Sequence, residues 1–253
     1  SYLCHPSMAN NELSGPLVLN ALLSYIKDNF KKTKFTYRFV LLPETIGSIS
    51  YLSKYHKFLK KNLFAGYVLS CLGDKGKFTL VNGPNESCKS SKFPKEVLKN
   101  KKFNSYNFLE RGSDERQYCS PNINLPVTLF CRSKFSDYKE YHSSLDNLNF
   151  ISQKNLQQSL NILIDLVNFF EKNTFPENKI YCEAKLSKRG LYPPLSKFDS
   201  KNTLSSKLKL RTNFLAFANG ERTTKEIANI INQSYNDVKR EEKLLFKKKI
   251  IQI

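Results

Sequence analysis

No apolar run in the sequence approaches the length of a bilayer span, and no secretion signal opens it, so the residues read as a chain without a membrane helix. There is no CxxC pair. The six cysteines, Cys4, Cys71, Cys88, Cys119, Cys131 and Cys182, are scattered, which excludes a structural zinc knuckle and predicts reduced thiols in a cytoplasmic setting. Cys71 and Cys131 lie in apolar, strand-like runs and are expected to be small buried hydrophobes. No GxSxG elbow surrounds Ser14 or Ser143, so a Ser–His hydrolase is not favoured. Histidine is scarce, with three residues in 253. The chain also lacks an opening methionine and starts inside a motif-like stretch, which predicts a longer parent with sequence ahead of Ser1.

Positive charge is abundant: 41 Lys and Arg face 22 Asp and Glu, a formal balance of +19. Such a balance suits an anionic partner. The lysines are spread over the whole length, however, in short runs such as Lys31-Lys32, Lys60-Lys61 and Lys247 to Lys249. Aromatics do not interleave with them, so the pattern reads as solvated faces and nucleic acid is a disfavoured partner. An apolar fraction of 40% with 13% aromatic residues is enough for a core and excludes general disorder.

Apolar residues at helical spacing predict a helix from Ser14 to about Asn29. Phe35 to Leu42 and Ala65 to Leu72 read as buried strands, with a helix between them that leaves Pro43-Glu44-Thr45-Ile46-Gly47-Ser48. Phe78 to Val81 is a short strand and Pro126 to Cys131 another. Residues 82–105 read as a loop with one helical piece near Lys95 to Asn100. Leu156, Leu160, Leu163, Val167 and Phe170 define a long amphipathic helix. Strands alternating with helices predict an α/β fold with a mostly parallel, doubly wound sheet. After 172 the composition changes. Residues 173–207 read as a linker, and 208–253 as a small winged-helix or helix-turn-helix module in which Thr223 to Glu226 forms a capping box.

In such sheets ligands sit at the carboxyl ends of strands. His5, Glu44, Cys71 or Asp74, and the loop before His142 all fall at predicted ends. Two histidines with carboxylates are what a hydrolytic zinc site requires, and Glu44, the one acid of its loop, is the candidate base. Asp146 either caps the turn after His142 or orients its imidazole. Arg111 and Arg116, flanking Asp114 and Glu115, form either a solvated ion-pair loop or an anion-binding edge of the cleft. His56 lies on a helix among Tyr55, Lys57 and Phe58 and is given no role.

Four stretches, His5-Pro6-Ser7-Met8-Ala9-Asn10-Asn11-Glu12-Leu13-Ser14-Gly15, Pro43 to Ser48, Gly112 to Tyr118 and Tyr141 to Asp146, occur in that order. Together they resemble the bacterial polysaccharide-biosynthesis proteins with an aminopeptidase-like domain, which are similar in turn to co-catalytic zinc aminopeptidases. The resemblance covers residues 1–172 and fits the terminal module. It implies that His5 and His142 are metal-binding, and that Asn11 stands where the aminopeptidases have an aspartate bridging two ions, with Glu12 adjacent. Glu44 matches a region that there carries two acids. Cys71 falls near another metal-binding aspartate, with Asp74 three residues on. A neutral Asn cannot bridge two Zn²⁺ as a carboxylate does, so one ion is expected rather than two, held by His5, His142 and one of Glu44, Glu12 or Asp114.

The resulting expectation is a zinc-dependent, aminopeptidase-like hydrolase of peptide-like or amide-bearing, glycan-linked substrates in surface polysaccharide metabolism. The alternative is a catalytically inactive binding protein with a docking module. DNA binding through Asn236 to Lys249 ranks last, because Glu241 and Glu242 lie in that helix and would repel phosphate. The sequence leaves the oligomeric state open.

Overall fold

The computed structural model describes residues 1–192 and 203–253; part of the segment expected as a linker, residues 193–202, lies outside the described residues. The chain divides into two units, Ser1–Glu171 and Lys172–Ile253.

In the first unit, helix α1 (Ser14–Asn29) buries Val18, Leu22 and Ile26, one residue per turn, and α2 (Ile46–Asn62) buries Leu52 and Leu59. Strands β1 (Gly66–Leu69) and β2 (Phe78–Val81) follow. Next come α3 (Lys89–Leu98), β3 (Phe103–Tyr106), the single turn α4 (Glu115–Tyr118), β4 (Val127–Cys131) and α5 (Gln153–Lys172). The sheet order is β1-β4-β2-β3. β1 runs parallel to β4 and β2 parallel to β3, while β2 and β4 are antiparallel. The sheet is therefore mixed and mostly parallel, with helices on both faces.

Alternation along the strands builds two cores. Leu69, Leu80 and Phe130 pack with α1 and α5 on one face; Val68, Val81 and Leu129 pack with α2 on the other. All five residues of β4 are buried, as an interior strand between covered faces requires. Gly15 permits the start of α1 to sit on the end of β1, since a Cβ there would lie 2.6 Å from the Leu69 carbonyl oxygen.

Several local expectations need correction. Phe35 to Leu42 forms no ladder: it runs extended, tied at the isolated parallel bridge Tyr2↔Leu42 and by the Ser1 amino group donating to the Val40 carbonyl. The apolar stretch before His5 is likewise one bridge rather than a strand. Within 82–105 the helix starts at Lys89, six residues earlier than expected, and β3 follows it. Pro94 stands inside this helix, on its buried face with Ser90, Ser91, Phe93 and Leu98. His142 does not precede a helix directly; turns separate it from α5.

In the second unit, β5 (Glu177–Asn178) pairs antiparallel with β6 (Ile251–Gln252) beside three helices, α6 (Thr203–Phe217), α7 (Thr224–Ile230) and α8 (Tyr235–Lys247). Thr223 caps α7 through the full capping box with Glu226, as its sequence predicts. Phe214, Ile227, Val238, Leu245 and Ile250 fill the core. Helices with a short terminal ribbon are the winged-helix arrangement.

Among the described residues no helix is long and apolar enough to cross a membrane.

Candidate functional site

The carboxyl ends of β1 and β4 point to a cleft built by four loops. The first loop enters α1 through one wide turn of π-helix, Ala9–Leu13. Such turns occur where a backbone must re-aim side chains, often at functional sites, and sequence periodicity does not reveal them. Here the turn buries Asn10, Asn11 and Glu12 in succession. Asp146, itself buried, accepts the Asn10 amide at 2.6 Å on one carboxylate oxygen and the Asn11 amide at 2.9 Å on the other. The two loops that carry the histidines are thereby fastened to each other. These bonds are a third role, distinct from capping the turn after His142 or orienting its imidazole: Asp146 holds the backbone ahead of α1.

That fastening brings His5 and His142 together, with ring centroids 4.6 Å apart. His5 Nδ1 lies 3.1 Å from Glu12 Oε1, and the other Glu12 oxygen accepts the Cys4 amide at 2.6 Å. A carboxylate on Nδ1 fixes the ring and leaves Nε2 outward. His142 stacks on Tyr141, with centroids 4.0 Å apart. Desolvation and the neighbouring His5 lower its pKa below the ordinary histidine value, which favours the neutral, ligand-competent imidazole.

Glu44, within electrostatic reach of Glu12, accepts a bond from the Ser113 hydroxyl at 3.2 Å. Burial first, then the charge of Asp114, raises its pKa. Asp114 is buried and accepts the Thr45 amide at 2.8 Å and the Ser48 hydroxyl at 3.0 Å, which pins the start of α2. Three residues here hold left-handed backbone conformations unusual for their side chains: Thr45 at φ 60°, Cys71 at φ 50° and His142 at φ 53°. Each costs about 1–3 kcal/mol and persists only where its surroundings enforce it; Asn124, Ser136, Asn232 and Lys249 share the conformation elsewhere.

The remaining expected residues are placed differently. Asn11 is satisfied within the protein: its Oδ1 accepts from the Tyr2 hydroxyl at 3.4 Å and the Cys71 thiol at 3.7 Å, and its amide donates to Glu12 at 3.3 Å. Asp74 lies behind the cleft, accepting from Asn10 Nδ2 at 2.9 Å and from Ser133 at 2.7 Å. The Arg111 to Arg116 stretch is not a solvated ion-pair loop. Asp114 and Glu115 are buried, whereas the arginines are exposed; Arg116 reaches the Thr45 hydroxyl at 2.8 Å and Arg111 its own loop's Phe108 carbonyl at 3.1 Å. Glu115 is fully buried and bonds two backbone amides of its loop through one oxygen. Sequence reading also missed Tyr2 and Tyr138, both of which reach Cys71 or Asn11 below the cleft floor.

The donor set does not suit two metal ions, because Asn11 is neutral and its carbonyl oxygen already takes two donors. For one ion it offers the Nε2 of His5, which Glu12 leaves unbonded, the imidazole of His142, and the carboxylates of Glu12 and Glu44. With the side chains as placed, no group of three or more His, Cys, Asp or Glu among the described residues stands close enough to hold an ion. A one-ion site therefore requires at least one of these side chains to turn inward.

Residues 1–173 match a family model described as a domain of unknown function (DUF4910), and residues 173–253 one described as winged helix-turn-helix. A Clostridium acetobutylicum protein, whose name joins polysaccharide biosynthesis to an aminopeptidase-like domain, is 38% identical over 197 residues, covering 76% of this chain and 44% of its own. The crystal structure of a candidate peptidase from the same organism superposes with a TM-score of 0.68 at 30% identity, over 99% of this chain and 56% of that one. The aminopeptidase from Aneurinibacillus shares the fold of 67% of this chain, at a TM-score of 0.55 and 19% identity, covering 42% of its own. A zinc aminopeptidase from Bacillus subtilis does so over 66%, at 0.55 and 16%, covering 45% of its own. The chain thus spans about half the length of these relatives.

Proposed function

The chain belongs to the family described as a domain of unknown function (DUF4910), and we propose that its first unit is an aminopeptidase-like hydrolase of amide bonds that works with a single zinc ion. The observation that carries this reading is the adjacent pair His5 and His142, with Glu12 bonded to one ring and Glu44 within electrostatic reach of Glu12. His5 and His142 would hold the ion, with Glu12 as the carboxylate beside them. Zinc supplies Lewis-acid polarisation of the amide carbonyl and of water when bound.

The chain's own groups do the rest. Glu12 keeps the His5 ring aimed. Glu44, with its pKa raised by burial and by Asp114, accepts the proton of the attacking water and passes it to the leaving amine. Ser113 holds one Glu44 oxygen and leaves the other for water. Arg116, exposed at the rim on the hydroxyl of Thr45, is placed to meet an anionic part of the substrate. The relative's name, which joins polysaccharide biosynthesis to an aminopeptidase-like domain, supports a peptide-like or amide-bearing, glycan-linked substrate; a cytoplasmic setting is part of the same proposal.

A second reading, a binding protein that retains the cleft without turnover, is favoured by one observation: the neutral, fully bonded Asn11 at the centre of the donor set. Hydrolysis of a panel of aminoacyl p-nitroanilides with zinc supplied separates the two. The hydrolase reading predicts turnover that falls by about 10²-fold or more in Glu44→Gln. No turnover on any member of the panel, together with saturable binding of the same compounds, would leave the binding reading in its place.

A further inference from the structure

Two exposed arginines, Arg111 and Arg116, belong to the loop that also carries Ser113 and Asp114, and they are held differently. Arg111 turns back on its own loop. Its guanidinium lies over the Phe108 ring, 4.9 Å from the centroid, and donates to the Phe108 carbonyl at 3.1 Å. Arg116 reaches across to the loop of Glu44, where its Nη2 donates to the Thr45 hydroxyl at 2.8 Å. Thr45 is itself fixed: its backbone is left-handed at φ 60°, and its amide is bonded to the Asp114 carboxylate at 2.8 Å. The guanidinium of Arg116 is thereby anchored within electrostatic reach of Glu44.

An arginine offers five N–H donors in a planar fork. Among the described residues Arg116 forms no ion pair, although acids surround it in the chain. Asp114 is taken by Thr45 and Ser48, Glu115 by the amides of Gly112 and Ser113, and Glu44 by the Ser113 hydroxyl. An arginine that served only to neutralise Glu44 would contact that carboxylate. This one holds a neutral hydroxyl by one nitrogen and keeps the rest of its fork for a group from outside the protein.

Resting on the hydrolase reading of the cleft, we propose that Arg116 determines specificity by selecting substrates that carry a carboxylate close to the scissile amide. A carboxylate matches the fork in shape as well as charge, through two parallel N–H···O bonds that a neutral carboxamide cannot reproduce. A phosphate monoester fits less well, because its three acceptor oxygens ask for more donors than one fork supplies. The carboxylate has two possible sources with the same chemistry: the chain terminus of the residue after the scissile bond, or an acidic side chain on the residue before it.

The test is calorimetric titration of the full chain, with zinc supplied, using ketomethylene analogues of dipeptides. Carbon replaces the amide nitrogen in these compounds, so none can be cleaved. One pair compares the analogues of leucyl-glycine and leucyl-glycinamide, the other those of glutamyl-glycinamide and glutaminyl-glycinamide. In at least one pair the carboxylate member should bind about tenfold tighter or more, and the pair that shows the preference identifies the source. Arg116→Gln should bring that ratio to within about twofold, and Arg116→Lys, which keeps the charge without the fork, should fall between. Arg111→Gln removes equal charge from the same loop and should leave the ratio unchanged. Both positions are exposed, so unchanged circular dichroism is expected in every variant. Equal binding within both pairs, no binding of any analogue, or a preference that survives Arg116→Gln would overturn the proposal. The hydrolase reading fails separately: a carboxylate preference that Arg116→Gln abolishes, with no cleavage of the corresponding dipeptides, would leave Arg116 as the carboxylate site of a binding protein.

Discussion

Replacing Asp146 by alanine tests how the cleft is assembled. The Asp146 side chain is 1% exposed, and its two oxygens accept the backbone amides of Asn10 at 2.6 Å and Asn11 at 2.9 Å. Removing it leaves two buried N–H groups without a partner just ahead of α1. A hydrogen bond to a charged group contributes about 1.5–3 kcal/mol, so two of them correspond to about 3–6 kcal/mol. Asp146→Asn keeps one accepting oxygen and should lose about half as much. Native-state hydrogen exchange reads the effect locally. Each 1.4 kcal/mol is tenfold, so the Asn10 and Asn11 amides should exchange more than about 100-fold faster in Asp146→Ala, with Asp146→Asn between it and the wild type. The first unit's denaturation midpoint should fall in the same order. Unchanged exchange at both amides, with a stability loss below about 1 kcal/mol, would refute the role given to Asp146.

Further outcomes follow from the same geometry. The pKa of Glu44 is raised in the folded state, so its favourable contribution exists at low pH and is lost as pH rises through the raised value; Glu44→Gln should therefore raise the thermal midpoint at pH 7 and not at acid pH, as read by differential scanning calorimetry. The pKa of His142 is lowered, so its ring protons should titrate by NMR with a midpoint below 6.5, and stability should decline as pH falls through that range. Asn11→Asp restores a bridging carboxylate beside Glu12: calorimetric titration should show zinc stoichiometry rising from one to two, and the metal-free variant should melt lower than wild type. Burial pushes the thiols of Cys71 and Cys119 up to about 12, whereas Cys4 and Cys182 are exposed. Ellman's reagent should accordingly modify Cys4 and Cys182 rapidly and reach Cys71, Cys119 and Cys131 only in denaturant.

Elements with strong periodicity were legible from sequence: α1, α5, β1, β4 and the capped α7 stand where spacing and capping chemistry put them. The failures share a cause, which is that local pattern does not report partners. Phe35 to Leu42 has every residue preference of a strand, but a strand exists only through its ladder, and its sole bridge is Tyr2↔Leu42. α3 was obscured because Ser90 and Ser91 near its start and Pro94 inside it weaken helix propensity, while packing of Phe93 and Leu98 overrides it. At the cleft, His5 and Glu44 were expected at the ends of strands, and those stretches make one isolated bridge instead, yet the loops that carry His5 and His142 do meet, with ring centroids 4.6 Å apart. The burial of Asp114, Glu115, Glu241 and Glu242 was not legible, since a charged pair in sequence looks the same whether it faces solvent or a buried hydroxyl. Asp74 reads as a cleft residue from its position after β1, but its carboxylate serves Asn10, Gly76 and Ser133 instead.

Zinc content of the purified chain, measured by elemental analysis after zinc supplementation and desalting, tests the one-ion cleft most directly when run beside His5→Ala/His142→Ala. The account predicts one zinc per chain in the wild type and none in the double variant. Absence of zinc from both, or one zinc retained in the double variant, would contradict it.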